Sequence, residues 1–189
     1  SGFEISIVGG AVRQMLAREK ITDWDLTTNA KPEEIQKLFT KSFYNNRFGT
    51  VGVPILDGQI VQITTYRTEE KYTDRRHPDV IVWGKSLEED LKRRDFTINA
   101  MALRYAQGKL LELIDPFDGQ KDFKDKLIRA VGEANKRFAE DGLRLLRAVR
   151  FATVLNFSIE EKTQQAIKKN AELLSEISGE RIRDELFKI

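Results

Sequence analysis

Apolar residues recur along the first two-thirds of the chain with the two-residue period of strands and the three-to-four-residue period of helices. Turn-forming residues divide these segments: Gly9 and Gly10 follow one apolar run, and Pro32 stands before two glutamates, as is typical of a helix start. The pattern predicts a strand at 4–8, a helix at 11–18, a strand at 23–27, a helix beginning at Pro32, a helix at 95–103 and a strand at 109–114.

A hairpin is indicated in the middle of this region. Asp57-Gly58 separates the apolar-rich runs 51–56 and 59–66, and such a dipeptide accepts the positive φ that a tight hairpin turn requires. Residues 67–86 are polar, charged and irregular, so we expect a long flexible loop after the hairpin.

The pattern changes after Gly119. Residues 120–189 contain no proline, and apolar positions from Phe138 to Ala152 recur at three- and four-residue steps. Two further helices are expected at about 160–174 and 179–188. The sequence therefore predicts an α+β fold, with a mixed β-sheet in the first part and an all-helical second part.

Composition narrows the class of protein. The chain is 40% hydrophobic and 33% charged, no apolar run approaches the ~20 residues of a membrane span, and no secretory leader is evident, so we expect a cytoplasmic protein without a membrane partner. Cysteine is absent and His77 is the single histidine, which excludes disulfides and multi-histidine zinc sites. Because the net charge is only +2, RNA affinity would depend on local basic clusters such as 71–76 and 92–94.

Asp23 and Asp25 are the leading candidates for chemistry. On a strand, residues two apart point to the same face, so both carboxylates would project together, with Trp24 on the other face. Two close carboxylates repel each other unless a cation lies between them, and hard oxygen ligands suit Mg²⁺. Taken alone, such a pair is more often a solvated turn or strand edge.

A glycine turn strengthens the case. Gly9-Gly10 lies between a predicted strand and a predicted helix, where glycine lets the backbone approach a phosphate and helix N–H groups point at it. Arg13, about one turn along that helix, could meet a triphosphate. A simple surface turn remains the alternative when this motif is taken alone.

Five ordered motifs resemble the DNA polymerase β-like nucleotidyltransferase superfamily, and more narrowly the class II CCA-adding enzymes (tRNA nucleotidyltransferases) and bacterial poly(A) polymerases. They are Gly-Gly-x-Val-Arg at 9–13, Asp-x-Asp with Leu-Thr-Thr at 23–28, Arg-Arg-Asp at 93–95, Glu-Asp-x-x-Arg at 140–144 and a neck-helix motif at 180–185. The resemblance runs nearly the full length of the chain, and five motifs in order argue strongly against chance.

The resemblance implies a catalytic nucleotidyltransferase head with a polymerase β-like sheet at 1–119 and a helical, base-recognising neck at 120–189. The family's body and tail domains would lie outside this sequence. It implies that Asp23 and Asp25 are catalytic and hold Mg²⁺, that Arg94 contacts phosphate and that Asp95 contacts the ribose hydroxyl. The implied nucleotide-binding residues are Gly9, Gly10, Arg13, Arg94, Asp95, Asn99, Asp141, Arg144 and Arg147.

Asp141 and Arg144 carry the implied base selection. Placed three residues apart on a helix, they could simply form a surface salt bridge. In the family they imitate a template base: the carboxylate accepts from an exocyclic amine, and the guanidinium donates to a ring nitrogen. Cytosine and adenine present this pattern, whereas uracil and guanine present the reverse, so the pair would select C and A.

The implied function is addition of C and A to the 3′ end of tRNA, with CTP and ATP as substrates and pyrophosphate as product. An A-adding enzyme or a poly(A) polymerase shares every motif above. A third possibility, of another class, is a weakly active RNA- or nucleotide-binding fragment. Residues 67–79 correspond to a flexible loop that assists the family's switch from C to A, and His77 is interpreted as a loop residue.

Two positions depart from the family pattern. Gln14 stands where aspartate is usual, and Gln62 stands where the strand usually carries a glutamate, the candidate third carboxylate beside Asp23 and Asp25. Because glutamine keeps the size and an oxygen but loses the charge, we expect weaker metal binding at this site.

Overall fold

The computed structural model describes residues 2–44, 49–55, 58–70, 80–84, 86–106 and 109–189. Its strands are β1 Ile5–Val8, β2 Asp25–Thr28, β3 Phe43–Tyr44, β4 Thr50–Pro54, β5 Ile60–Thr65, β6 Arg67–Glu70, β7 Val80–Trp83, β8 Ala102–Ala106, β9 Lys109–Ile114, β10 Leu127–Ile128 and β11 Ser158–Ile159. Its helices are α1 Gly10–Ala17, α2 Pro32–Leu38, α3 Leu87–Lys92, α4 Gly119–Lys124, α5 Ala134–Glu140, α6 Leu143–Leu155, α7 Glu161–Lys169 and α8 Gly179–Leu186, with 3₁₀ turns at Thr97–Asn99 and Ala171–Glu176.

A mixed sheet forms the first part of the molecule, as predicted. Its order is β3-β4-β5-β2-β1-β8-β9. The pair β2 and β5 is parallel, with Asp25 opposite Gln62, and the other neighbours are antiparallel. The sheet therefore brings the start of β2, the end of β1 and the middle of β5 to one region of its surface.

The structure confirms the hairpin and corrects the loop. Strands β4 and β5 pair antiparallel, while Leu56 at the end of the first predicted run and Asp57 of the predicted turn lie outside the described residues. The prediction of an irregular loop over 67–86 was wrong where the chain is described, because β6 and β7 pair antiparallel. The β-branched run Val80-Ile81-Val82 favours this strand. Residues 71–79, which include His77 and the basic cluster 71–76, lie outside the described residues.

The predicted helix at 95–103 was also wrong. Phe96 bridges Ala130, and the Thr97 amide donates to the Arg129 carbonyl, so this segment is extended before it forms the short turn Thr97–Asn99. β8 then pairs with β1 and β9 inside the sheet. Backbone pairing with distant segments overrides the local helical preference here.

The second part is helical, with two departures from prediction. The helix expected around 138–152 is broken at 141–142 into α5 and α6, and α7 ends at Lys169 before a 3₁₀ turn. β10 and β11 add a two-residue parallel pairing, so this part is not purely helical. Within the described parts of the chain, no helix has the length and apolar character needed to cross a membrane.

One hydrophobic cluster joins the two parts. Phe96 and Ile98 of the first part are fully buried against residues of the second. Those residues are Ile128, Phe138, Leu145, Ala148, Phe151 and Ala166. The segment 95–99, which carries several predicted site residues, is therefore fixed between the sheet and the helices.

Candidate active site

A cavity of about 650 Å³ opens between the sheet and the helical part. It is lined by all eleven predicted site residues: Gly9, Gly10, Arg13, Asp23, Asp25, Arg94, Asp95, Asn99, Asp141, Arg144 and Arg147. Eight cationic side chains and four carboxylates line its wall, so the cavity is suited to a ligand with several negative charges.

The two candidate catalytic carboxylates lie at the entrance to β2. Asp25 is the first residue of the strand, but Asp23 lies in a bend before it, so the prediction of both on one strand was wrong for Asp23. Burial raises the pKa of Asp25; the charge of Arg94 opposes this shift and that of Asp23 adds to it. A bound cation would relieve both the burial and the repulsion.

Gln14, one of the two departures, fastens the segment before Asp23. Its side-chain oxygen accepts from the Thr22 amide at 3.4 Å, and its side-chain nitrogen lies 3.3 Å from the Thr22 hydroxyl. That hydroxyl in turn lies 3.4 Å from the Asp23 carboxylate. Gln14 therefore has a structural role at the edge of the cavity that needs no charge.

Gly9 sits between the carboxylate pair and the arginines. Its φ is +68°, which side chains rarely adopt, and an added Cβ would lie 3.3 Å from Arg94 Nη1 and 3.6 Å from Asp25 Oδ2. Glycine thus allows the turn into α1 and the close approach of Arg94 to Asp25.

Asp90 orients two arginines toward the cavity. It is completely buried at the end of α3, and it accepts from Arg93 at 2.8 Å and from Arg94 at 3.1 Å. Burial opposes ionisation, but the two guanidinium groups outweigh it and hold the pKa of Asp90 below its usual value. One buried carboxylate therefore fixes the positions of two cationic side chains.

Asp95 joins the sheet side of the cavity to α6. One of its oxygens accepts from the Phe96 amide and from Asn99, and the other accepts from Arg147. Burial would raise the pKa of this carboxyl, but the ion pair and hydrogen bonds with Arg147 lead the groups that lower it to about 2. Asp95 is thus firmly ionised.

The side chains of Asp141 and Arg144 are held by other residues rather than by each other. Asp141 is extended between α5 and α6, so the prediction that Asp141 and Arg144 lie on one helix was wrong. Its carboxylate accepts hydrogen bonds from Arg181 at 2.9 Å and from the Leu143 amide at 3.0 Å. Arg144 donates to Glu140 and to the carbonyl oxygens of Arg137 and Arg93. Each side chain is therefore fixed independently at the cavity wall.

Several lining residues were not predicted from the sequence, chiefly Phe151, Arg150 and Lys188. Arg144, Arg147 and Arg150 recur every three residues, so their spacing could have placed Arg150 on the same face of α6. Phe151 carried no such signal, because an aromatic residue in an apolar helical stripe usually indicates core.

The residues present fit a divalent cation held by few protein ligands. No group of three or more metal-ligating side chains occurs within the described ranges. Asp23 and Asp25 line the cavity together with Gln62, the cross-strand neighbour of Asp25. Magnesium is commonly bound by one or two carboxylates, with phosphate oxygens and water completing its coordination.

The chain matches two family models. One, the poly A polymerase head domain, matches residues 5–129; the other, described as the probable RNA and SrmB-binding site of polymerase A, matches residues 156–189. The chain belongs to the poly A polymerase head-domain family.

Similar relatives within this family are CCA-adding enzymes. The chain is 50% identical to that of Lactobacillus helveticus and 52% identical to one of Lactobacillus delbrueckii subsp. bulgaricus, covering all of this chain and 46% and 47% of the relatives. The chain therefore spans about half the length of these curated relatives.

Solved structures agree. The Bacillus stearothermophilus CCA-adding enzyme in complex with CTP matches with a TM-score of 0.87 and 42% identity, over 99% of this chain and 44% of that one. The Thermotoga maritima CCA-adding enzyme complexed with tRNA matches with a TM-score of 0.80 and 31% identity, over 98% of this chain and 42% of that one.

Proposed function

We propose that the chain carries the catalytic centre of a template-independent nucleotidyltransferase that adds C and A to the 3′ end of tRNA, with Mg²⁺ as cofactor. The observation that carries this proposal is a cavity in which a carboxylate pair and a cationic wall lie together with Asp141 and Arg144. The similar relatives are CCA-adding enzymes, one of them solved with CTP and another with tRNA. The proposed location is the cytoplasm, where tRNA and nucleoside triphosphates occur.

The carboxylate pair and the arginines have different roles toward the substrate. Asp23 and Asp25 are the proposed catalytic residues and would hold Mg²⁺, which when bound lowers the barrier to attack by the RNA 3′-hydroxyl and clamps the triphosphate. Arg13 and Arg94 would offset the negative charge of the leaving pyrophosphate, and the N–H groups at Gly9-Gly10 would donate hydrogen bonds to it. In phosphoryl and nucleotidyl transfer, such positioning and charge neutralisation supply most of the catalysis.

Base selection would fall to Asp141 and Arg144. A carboxylate has about four acceptor sites, and Asp141 uses two of them, for Arg181 and the Leu143 amide. Within the described part of the chain, Arg144 uses three of its five N–H donors. Both therefore retain capacity to pair with the amine and ring nitrogen of cytosine or adenine, while uracil and guanine would leave polar groups unpaired.

Two alternatives have specific support. The matching head-domain model is that of poly A polymerase, which favours an enzyme that adds only A or long A tracts. Gln62, which supplies no charge beside Asp25, favours a weakly active nucleotide-binding fragment.

Incorporation assays separate these functions. The chain, and in parallel the natural protein in which this sequence occurs, would be incubated with Mg²⁺, each of the four NTPs and tRNA that ends before CCA, ends in CC or is complete. Stepwise C then A supports the proposal, A on CC ends alone supports an A-adding enzyme, and long A tracts on any RNA support a poly(A) polymerase.

The controls test the site itself. Asp23→Asn and Asp25→Asn should each lower incorporation at least about 100-fold, by analogy with loss of a preorganised electrostatic group, whereas Asp184→Asn, an exposed carboxylate on α8, should have no effect. If the natural protein binds nucleotide but incorporates none, the enzyme proposal is wrong.

Asp141→Ala tests base selection separately. The variant should lose most discrimination of CTP and ATP over UTP and GTP while Mg²⁺ binding is unchanged, because the acceptor for the exocyclic amine is gone. Incorporation with each NTP and a Mg²⁺ titration provide the measurement, and Asp184→Ala is the matched control. Full discrimination by Asp141→Ala would contradict a template role for this pair.

A further inference from the structure

Three guanidinium groups converge on the ring of Phe151. The central carbon of Arg150 lies 4.2 Å from the ring centroid, and those of Arg13 and Arg147 lie 5.3 Å from it. All three distances fall within the ~6 Å at which an aromatic ring attracts a cation. Phe151 is only 6% exposed, and the ring of Phe96 packs edge-on against it at 5.8 Å.

The convergence is electrostatically unbalanced. Arg147 pairs with Asp95 at 2.7 Å and Arg150 pairs with Glu185 at 2.5 Å, so each has a carboxylate in contact. Arg13 donates instead to Asn99, a neutral amide. In the part of the chain that the structure describes, two contacting carboxylates therefore serve three cations. Burial lowers the pKa of Arg13; the charges of Arg150 and Arg147 add to this shift, whereas those of Asp95 and Glu19 oppose it.

The ring of Phe151 is a further source of attraction for these cations. The electron-rich face of its ring stabilises nearby cations without neutralising them, so the guanidinium groups can still bind an anion. A carboxylate in the same place would hold the arginines but would repel phosphate. Unlike Asp95 and Glu185, the ring therefore leaves the positive charge of the arginines available to an anion in the cavity.

We propose that Phe151 is a positioning residue for the polyphosphate of the nucleotide, acting through Arg13 and Arg150. The inference rests on the proposed function, because it assumes that a nucleoside triphosphate occupies the cavity. Arg13 belongs to α1 and Phe151 to α6, so the polyphosphate subsite exists only when the helical part is docked on the sheet.

A fluorination series tests the ring without changing its shape. Replacing Phe151 by mono-, di- and trifluorinated phenylalanine withdraws electron density from the ring face while the core packing is kept. Binding of Mg-ATP, Mg-AMP and inorganic tripolyphosphate to the chain would be measured by calorimetry. The matched control is the same series at Phe138, which is fully buried in the same hydrophobic cluster but does not line the cavity.

We expect affinity for ATP and tripolyphosphate to fall steadily with fluorination at 151, by about 3- to 30-fold for the trifluorinated ring. AMP should change less than 2-fold, and the series at 138 should change none of the three. Phe151→Leu should match the trifluorinated protein, and Phe151→Tyr should bind as the wild type does.

Two outcomes would overturn this inference and leave the proposed function standing. One is wild-type affinity for ATP and tripolyphosphate across the series at 151, and the other is an equal loss of affinity from the series at 138. If the wild-type chain binds neither ATP nor tripolyphosphate, the proposed function fails with it. Incorporation by a trifluorinated protein with unchanged tripolyphosphate affinity would retain the proposed function and reject the role of Phe151.

Discussion

Asp95 shows how a single carboxylate can fix a site and stabilise the fold together. It is 7% exposed, it contacts both Asn99 and Arg147, and its pKa is about 2. A carboxyl whose pKa is depressed on folding stabilises the protein above its unfolded pKa, and that stabilisation disappears as pH falls through the folded value.

We therefore expect Asp95→Asn to lower the free energy of unfolding by roughly 2 kcal/mol at pH 7. The difference from wild type should narrow as pH falls from about 4 through about 2, because the wild-type carboxyl becomes protonated, and so neutral like the amide, as pH falls through its folded pKa of about 2. Urea unfolding across this pH range measures it. Asp184→Asn, whose ion pair with Arg183 is exposed, should change stability by less than about 1 kcal/mol. A difference independent of pH would contradict the assignment.

At Gln62 we predict that a substitution improves metal binding or activity. It lines the cavity beside Asp25, so a carboxylate there would complete a group of three. Gln62→Glu should raise Mg²⁺ affinity or turnover, measured by a magnesium titration of nucleotide incorporation. Gln59→Glu, exposed on the same hairpin, makes the same change in net charge as a control. An unchanged titration for Gln62→Glu would argue against a metal-site role for this position.

At the scale of elements, the connection into α4 is tightly constrained. Gly119 begins α4, and a Cβ there would collide with the Thr97 carbonyl oxygen and lie 2.8 Å from Met101 Cγ. The turn Thr97–Asn99, which carries Asn99 to the cavity, therefore packs directly on a glycine.

Gly119→Ala should destabilise the protein by about 1–3 kcal/mol and weaken nucleotide binding, because the backbone at 97–99 must move. Gly179→Ala is the matched control: it also lies at a helix start, and its Cβ would meet nothing within 4 Å. That variant should be neutral or up to about 1 kcal/mol more stable. Thermal unfolding and ATP titration of both variants provide the comparison; equal behaviour would refute the packing argument.

Elements with a strong local pattern were predictable, and elements decided by distant partners were not. β9 lies at its predicted residues, and α8 ends two residues before its predicted end. For both elements, the local periodicity and the flanking residues are enough to define the element. β8 was mistaken for part of a helix because its partners β1 and β9 lie elsewhere in the chain.

The candidate site followed the same rule. All eleven predicted site residues line one cavity. They were predictable because carboxylates, arginines and glycine turns are residue types whose chemistry can be inferred from the sequence. The roles of Phe151 and Asp90 could not be inferred in this way, because the arginines that they contact come close to them only in the folded chain. The break between α5 and α6 did have a sequence signal, which was overlooked: Asp141-Gly142 is the same turn-forming dipeptide as Asp57-Gly58.

At the scale of the whole molecule, the predicted boundary at residue 119 does not divide the hydrophobic core. Phe96 and Ile98 precede that boundary and are fully buried with Phe138 and Leu145, which follow it. The two parts should therefore lose their structure together.

We expect a single unfolding transition. Trp24 and Trp83, the two tryptophans, both report on the first part, while far-UV circular dichroism is dominated by helices, most of them in the second. Phe138→Ala should cost about 3–5 kcal/mol and shift both signals equally. Leu38→Ala, at an exposed position on α2, should leave the unfolding midpoints of both signals nearly unchanged. Separate midpoints for the two signals would show independent domains.

The cationic wall of the cavity has a consequence for how the protein behaves in solution. The lining residues carry eight cations and four carboxylates, a surplus of +4, although the whole chain carries only +2. The rest of the chain therefore carries a net charge of −2, so positive charge is concentrated in the wall of this cavity. Fields focused in such a concavity accelerate the arrival of polyanions and weaken with ionic strength. On a heparin column the folded protein should elute at higher salt than its net charge suggests, and denaturation should abolish the difference.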